Sequence, residues 1–299
     1  MKKVAVFGQK YTVQAYNEIK VLLEALETHN VVIFFESIFY EELNKHKHLT
    51  KKYPTFSKFE DLNSSFDLFF SMGGDGTMLR AVTYVRDLNI PILGINTGRL
   101  GFLANVKKEE ISESIDLLVA GEYTIQDRTL LNIQTQPKIE KFQELSFALN
   151  EITIARKNTT SMIGVKTYLD GEYLTNYWSD GLIIATPTGS TGYSLSCNGP
   201  VIAPNCKNFV ITPIAPHNLN ARPMVIPDDT SIELEVDSRE KSYLISLDSR
   251  ITSVPKNTKI KIQKSAYTIK TVIPSNQSFL TTLRSKLLWG EDTRNESNL

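Results

Sequence analysis

The stretch Ser71-Met72-Gly73-Gly74-Asp75-Gly76-Thr77 limits what this chain can be more than any other. Phe66 to Phe70 stand before it and are mostly apolar. Met78-Leu79-Arg80-Ala81-Val82-Thr83-Tyr84-Val85 follows at helical spacing. The pattern predicts a buried strand, a glycine turn and a helix. Glycines admit positive φ and close backbone approach. A helix N-terminus offers N–H groups and a positive dipole end, which suits phosphate. Asp75 places a negative charge in that anion-friendly turn. The charge is out of place if the turn only holds phosphate. It makes sense if the carboxylate accepts a proton from a hydroxyl beside a phosphate, or holds that hydroxyl.

The segments around this turn read as an α/β fold. Lys3 to Phe7 is an apolar strand ending at Gly8, and Val13, Tyr16, Ile19, Leu22, Leu23 and Leu26 keep helical spacing after it. Val31 to Phe35 is a second buried strand, so the chain opens β-α-β and predicts a parallel sheet with helices on its faces. No Gly-x-Gly-x-x-Gly follows the first strand, which argues against a standard dinucleotide turn there. Residues 41–65 are polar and lysine-rich and read as a surface helix or loop. His46 and His48 have lysine neighbours, so a solvated charge run outweighs a metal pair.

Ile90 to Asn96 is another buried strand, ending in a second glycine-rich turn, Thr97-Gly98-Arg99-Leu100-Gly101-Phe102. Ligands in open α/β sheets bind outside the carboxyl ends of the strands, so two such turns predict a cleft. Ile111, Ile115, Leu118 and Val119 mark a helix stopped near Gly121. From about residue 123 short alternating segments replace the strand-helix rhythm, as in Ile163 to Leu169 and Ser231 to Val236. Asp170-Gly171 between two of them signals a hairpin. The expected organisation is an α/β domain over 1–122, an all-β two-sheet sandwich over 123–274, and a tail over 275–299. The tail carries a helix, Phe279 to Trp289, expected to pack back on the α/β domain, and frayed residues 290–299.

Composition excludes several classes. Lysine plus arginine equals aspartate plus glutamate, at 33 each, which leaves no basic excess for nucleic acid. No apolar run approaches the ~18 residues of a membrane span. Cys197 and Cys206 are the only cysteines, which fits a reducing cytoplasm better than a disulfide scaffold.

Two constellations stand in the second half. Asn150-Glu151 sets an amide beside a carboxylate, able to read hydroxyls or a carboxamide; taken alone, the pair reads more readily as a hairpin corner. Asp180-Gly181 leads into Leu182-Ile183-Ile184-Ala185 and then into Thr186-Pro187-Thr188-Gly189-Ser190-Thr191-Gly192-Tyr193-Ser194-Leu195-Ser196. Backbone N–H groups there suit an anion, the hydroxyls suit ribose or phosphate, and Tyr193 suits a ring. His217 is a lone loop histidine and reads as structural. No Cys/His/Asp set has metal-ligand spacing, so a divalent ion would ride on substrate phosphates.

In order along the chain, Gly73-Gly74-Asp75-Gly76-Thr77, the Gly98 to Phe102 turn, Asn150-Glu151 and the Asp180 to Ser196 segment resemble the motif set of NAD kinases. Pro216-His217 with Arg222-Pro223, and Thr282 to Leu287, extend the match over roughly residues 3–289. The Gly-Gly-Asp-Gly turn alone also resembles lipid kinases and phosphofructokinases; the later motifs carry the specificity. The resemblance implies an NAD kinase/diacylglycerol kinase-like fold with NAD between two domains. It implies γ-phosphoryl transfer from ATP, with Mg²⁺ carried on the ATP phosphates, to the 2′-hydroxyl of the adenosine ribose. Asp75 would be the general base. Gly73, Gly74, Gly76 and Thr77 would form the phosphate-donor turn. Asp75, Gly76, Arg80, Asn150, Glu151, Ser161, Asp180, Ala185, Thr191, Gly192, Tyr193, Ser194, Leu195 and Ser196 would contact NAD. A homo-oligomer, dimer or tetramer, is implied as well.

The chain departs from the family pattern at two places. Trp178 stands where many relatives have arginine, and Leu247-Asp248-Ser249-Arg250 stands where many have a glutamine. Two other readings remain open at this point. One is a lipid kinase, whose Gly-Thr-x-Asn-Asp continuation is replaced here by Gly94-Ile95-Asn96-Thr97-Gly98. The other is a dinucleotide-binding regulator without turnover.

Overall fold

The apolar runs of the first half pair as parallel strands. The computed structural model describes residues 1–9, 13–46, 49, 51–98, 101–158 and 161–288. His48, Arg99, Leu100 and the tail from Trp289 onward, which figure in the reading above, lie outside the described residues. Lys3–Gly8 (β1) leads through the helix Val13–Thr28 (α1) to Val32–Glu36 (β2) and the helix Ser37–Lys45 (α2). The helix in the polar stretch is anchored: it buries Phe39 and Leu43, and the Glu36 carboxylate caps it by accepting from Phe39 N at 2.9 Å. Thr55–Phe56 (β3), Leu68–Met72 (β4), the helix Asp75–Val85 (α3) and Ile92–Asn96 (β5) follow.

Every residue of β4 and β5 is buried, as strands covered on both faces require. Alternation divides the packing between the two faces. Val4, Val6, Phe35 and Phe70 join Ile19, Leu22 and Leu26 of α1 in one core. On the other face Phe7, Phe56 and Phe69 gather around Tyr84 of α3, with ring centroids 5.1, 5.7 and 6.4 Å away.

Register positions the glycine turns. Gly8 pairs with Met72 and Met72 with Ile95, so β1, β4 and β5 end level. Gly73 N donates to Ile95 O at 2.9 Å, continuing the ladder into the turn. The two glycine turns therefore leave adjacent strands at one end of the sheet.

Val106–Lys107 (β6) and the helix Ile111–Ala120 (α4) come next. The helix stops at Gly121, whose φ of 78° closes a left-handed cap. Tyr123–Arg128 (β7) and the late strand Ile269–Pro274 both enter this sheet, in the order β3-β2-β1-β4-β5, then Ile269–Pro274, then β7. The first compact unit is thus Met1–Asp127 together with the chain from Ile269 on, and the second is Arg128–Thr268. The boundaries lie at 128 and 268, where the sequence reading put them at 123 and 274. An alternating strand carries no mark of which sheet it pairs with. The tail helix Phe279–Leu287 stays in the first unit, its Phe279 ring 6.4 Å from Phe102 and Gln277 Nε2 donating to Glu110 Oε2 at 2.7 Å.

In the second unit the strands are Leu131–Gln136 (β8), Phe147–Ala148 (β9), Glu151–Ala155 (β10), Ile163–Leu169 (β11), Glu172–Ser179 (β12), Gly181–Ala185 (β13), Asn208–Ile214 (β14), Met224–Pro227 (β15), Ile232–Asp237 (β16), Ser242–Leu247 (β17), Arg250–Pro255 (β18) and Lys259–Lys264 (β19). They form two antiparallel sheets, β15-β14-β13-β10-β17-β18 and β12-β11-β16-β19-β8-β9. Ile152, Ile154, Leu182 and Ile184 of one sheet share a core with Val165, Leu234, Ile260 and Ile262 of the other. Each such side chain contributes about 1.5–3 kcal/mol on burial. Asp170 at φ 51° and Gly171 at φ 84° make the expected hairpin turn between β11 and β12.

Candidate functional site

Each unit builds one half of the candidate residue set. In the first unit β4 runs into Gly73, whose φ of 153° brings the backbone round before α3. A Cβ on Gly73 would stand 2.2 Å from the Thr77 hydroxyl oxygen, so only glycine fits there. Beside Gly74 and Gly76 a Cβ would meet nothing within 4 Å, which leaves these two residues open for close approach.

Asp75 is the first residue of α3, and its carboxylate is engaged. Oδ2 accepts from Phe102 N at 2.9 Å, and Oδ1 accepts from Leu103 N and Ala104 N, each at 3.0 Å. The amides of the second glycine-rich turn thus form a small anion nest, and the anion in it is Asp75. This answers the charge that looked misplaced in the sequence. Asn96 braces the same segment: its Oδ1 accepts from Gly98 N at 2.7 Å and its Nδ2 donates to Ala104 O at 3.4 Å. Arg80, one helical turn on, meets Gln9 just beyond β1. With the Gln9 amide oriented to satisfy both groups, its oxygen accepts from Arg80 Nη1 at 2.5 Å and Nε at 2.9 Å.

In the second unit Glu151 opens β10 and Asn150 stands just before it. The Asp248 carboxylate, from the tip between β17 and β18, gathers their backbone. It accepts from Leu149 N at 3.0 Å, Asn150 N at 2.8 Å and Glu151 N at 3.2 Å. Asp248 N returns a bond to Glu151 O at 2.9 Å. Arg250 donates to Leu145 O at 3.2 Å and to Phe147 O, and its Nη2 lies 3.9 Å from Asp248 Oδ2. Asn150 Oδ1 and Glu151 Oε2 are shielded from solvent and take no hydrogen bond from the described residues. Buried polar atoms in that condition call for a partner, which a water or a ligand can supply. Burial, and then the nearby Asp248, pushes the Glu151 carboxyl up to about 8.

The hydroxyl-rich loop folds onto this corner. Thr186 Oγ1 donates to Leu149 O at 2.6 Å, and Thr186 N donates to Asn150 O at 2.9 Å. Ser190 Oγ donates to Pro187 O at 2.7 Å, and Ser194 Oγ pairs with Thr212 Oγ1 at 2.8 Å. The hydroxyls of Thr186, Ser190 and Ser194 hold the loop together, although the sequence suggested them for ribose or phosphate. Thr191, Gly192 and Leu195 are half-buried, and Tyr193 and Ser196 are exposed. A Cβ on Gly192 would come within 3.1 Å of Glu151 Oε2, so the loop and the corner are neighbours.

Ala185 lies fully buried opposite Glu151 in the β10–β13 pair. Asp180 pairs with Arg156, Nη2 to Oδ2 at 2.9 Å. Ser161 precedes β11, which belongs to the other sheet from β10 and β13. His217 is exposed, and its backbone N donates to Trp178 O at 2.8 Å.

Sequence reasoning missed Gln9, the amides of 102–104 as partners of Asp75, and Asp248 as the organiser of Asn150-Glu151. Asp248-Ser249 between two alternating runs carries a turn signal, but nothing local names its distant partners.

Among the described residues no group of three or more His, Cys, Asp or Glu side chains could hold a metal ion. No helix among them is long and apolar enough to cross a membrane.

Residues 4–123 match the family model of the ATP-NAD kinase N-terminal domain, and residues 149–273 that of the ATP-NAD kinase C-terminal domain. The NAD kinases of Christiangramia forsetii and Flavobacterium psychrophilum are each 53% identical over 293 residues, 98% of this chain and all of theirs. An Archaeoglobus fulgidus NAD kinase in complex with ATP superposes with a TM-score of 0.75 at 27% identity, over 96% of this chain and 98% of that one. Yeast NADH kinase complexed with NADH shares the fold, with a TM-score of 0.85 at 20% identity over 99% of this chain and 89% of that one. With both halves matched and full-length relatives this similar, the chain belongs to the NAD kinase family.

Proposed function

We propose that Asp75 is the general base that takes the proton of the adenosine-ribose 2′-hydroxyl of NAD as the γ-phosphoryl group of ATP is transferred to it. The phosphorylation of NAD itself follows from membership of the family. The observation that carries the assignment of the base is the carboxylate fixed by three backbone amides at the start of α3. Phosphoryl transfer needs alignment and charge placement more than covalent chemistry. A carboxylate held from one side cannot swing away, so its remaining lone pairs keep one direction. The Gly73 to Thr77 turn, at a helix N-terminus, suits the donor phosphates.

Asn150 and Glu151 are assigned to the dinucleotide because Asn150 Oδ1 and Glu151 Oε2 are shielded and take no hydrogen bond from the described residues. Tyr193, Gly192, Thr191 and Ser196 stand in the loop that folds onto them, and Asp180 and, in the first unit, Arg80 are assigned to the dinucleotide by the family resemblance. Ser161 is the weakest member, since the strand it precedes lies in the other sheet of the second unit. Mg²⁺ would enter on the phosphates of ATP and neutralise their charge there. We place the enzyme in the cytoplasm as a homo-oligomer, with the exposed Trp178 on the edge strand β12 as a candidate contact.

Purified protein incubated with ATP, Mg²⁺ and NAD should form NADP, and formation should stop with excess chelator and return with added Mg²⁺. Phosphatidic acid formed from diacylglycerol under the same conditions would support the lipid-kinase reading. NAD binding without product would support a regulator. Size measurement in solution tests the oligomer.

A further inference from the structure

We infer that Glu151 meets the dinucleotide as a neutral carboxylic acid that donates a hydrogen bond, with Asp248 as the positioning residue that keeps it neutral. The inference rests on the assignment of Asn150 and Glu151 to NAD and deepens it.

Two carboxyl groups share one shielded corner of the second unit, and they are not equally provided for. Asp248, its side chain only 5% exposed, accepts three backbone N–H groups and has the Arg250 guanidinium 3.9 Å away. Glu151 receives one backbone N–H, from Tyr193, and its Oε2 takes none from the described residues. Two adjacent buried carboxyls cannot both ionise without a large cost in desolvation and repulsion. Burial raises the Asp248 carboxyl as well, but its three N–H donors and Arg250 oppose that, so the charge settles on Asp248, the group with more donors. The proton stays on Glu151, whose O–H then needs an acceptor.

The groups facing Glu151 leave that donor to the ligand. The tip between β17 and β18 brings Asp248, whose Oδ1 already accepts from Asn150 N and Glu151 N and whose Oδ2 is turned to Leu149 N and Arg250. The loop brings the Tyr193 backbone and phenol, and β13 brings Ala185. Beside it Asn150 Oδ1 is a shielded acceptor without a donor among the described residues. The corner therefore holds one O–H donor and, on the neighbouring residue, one amide acceptor. That pair suits a group that both accepts and donates, such as a ribose hydroxyl or a carboxamide. A second negative charge would suit neither the corner nor an anionic dinucleotide.

Titrating NAD onto the full chain between pH 6.5 and 9.5 tests this, with wild type, Glu151→Gln, Asn150→Ala and Asp248→Asn compared and each checked by a thermal melt. Wild-type affinity should fall about tenfold between pH 7 and 9, as the acid loses its proton. Glu151→Gln keeps a neutral donor, so its affinity should be flat with pH and exceed wild type at pH 9. Asp248→Asn removes the like charge and should move the midpoint of the wild-type loss to lower pH. A flat wild-type profile together with Glu151→Gln binding more weakly than wild type at pH 9 would overturn the inference and leave Glu151 an ionised ligand contact. An unmoved midpoint in a folded Asp248→Asn would remove Asp248 from its role. If neither Glu151→Gln nor Asn150→Ala changes affinity at any pH, the assignment of the corner to NAD fails, and the inference with it.

Discussion

The Asp75 carboxylate occupies the space that a side chain on Gly101 would need: a Cβ built there would stand 1.8 Å from Asp75 Oδ1 and 2.5 Å from Cγ. Twenty-six residues separate the two positions, and the level ends of β4 and β5 bring them together. The second glycine of the second turn is thus a condition for the orientation of the first turn's carboxylate. Gly101→Ala should push the carboxylate off the amides of 102–104. Turnover should fall at least tenfold while NAD affinity measured by titration stays within about threefold, because no contact assigned to NAD in the second unit is touched. Unchanged turnover would separate the nest from the chemistry.

Asp75→Asn asks a different question at the same place. The amide oxygen can still accept two N–H groups, but the NH₂ turns a donor toward a third. The expected stability loss is about 1–3 kcal/mol, read as a lower urea midpoint. Turnover should fall by about 10²–10⁴-fold or more, since a neutral amide cannot take a proton, with NAD affinity within about tenfold. Near-normal turnover in this variant would refute the assignment of the base.

What the sequence disclosed about these sites follows from distance along the chain. Strand, Gly73-Gly74-Asp75 and helix are consecutive, so their physics was legible locally, as were the Asp170-Gly171 turn and the Gly121 stop. The partners of Asp75 lie 27 to 29 residues on, and those of Asp248 lie 97 to 99 residues back. Only strand register brings them together, and no local pattern encodes register with a distant strand. Packing also decided the use of the hydroxyl-rich loop. Ser190 and Ser194 are fully buried, so their hydroxyls had to find protein partners, which composition alone does not reveal. The pairing of 123–128 and 269–274 with the first sheet was hidden for the same reason.

Asp248 should matter to stability as well as to charge. Asp248→Ala would leave three backbone N–H groups and the Arg250 guanidinium without their buried acceptor. Breaking a buried, hydrogen-bonded charge typically costs about 3–5 kcal/mol. The full chain should therefore unfold at a clearly lower urea concentration. Arg250→Ala removes two bonds to the carbonyls of Leu145 and Phe147 and should cost less, since its side chain is 28% exposed and its ion pair spans 3.9 Å. A larger loss in Arg250→Ala than in Asp248→Ala would mean that the arginine, and not the aspartate, organises the corner.

The raised Glu151 carboxyl predicts how stability varies with pH. In the unfolded chain this group releases its proton near 4.5, and in the folded protein near 8. Between those values the folded state holds a proton that the unfolded state has lost. Stability must then fall as pH rises across that window, and the fall ends once both states are ionised above about 8. Glu151→Gln carries no titrating proton, so its own contribution is flat. Urea midpoints at pH 5, 7, 9 and 10 should show the variant gaining on wild type at each step up to pH 9 and holding a nearly constant lead from there to pH 10. The reverse order, with wild type gaining as pH rises, would mean that Glu151 is ionised in the folded protein and stabilised by that charge.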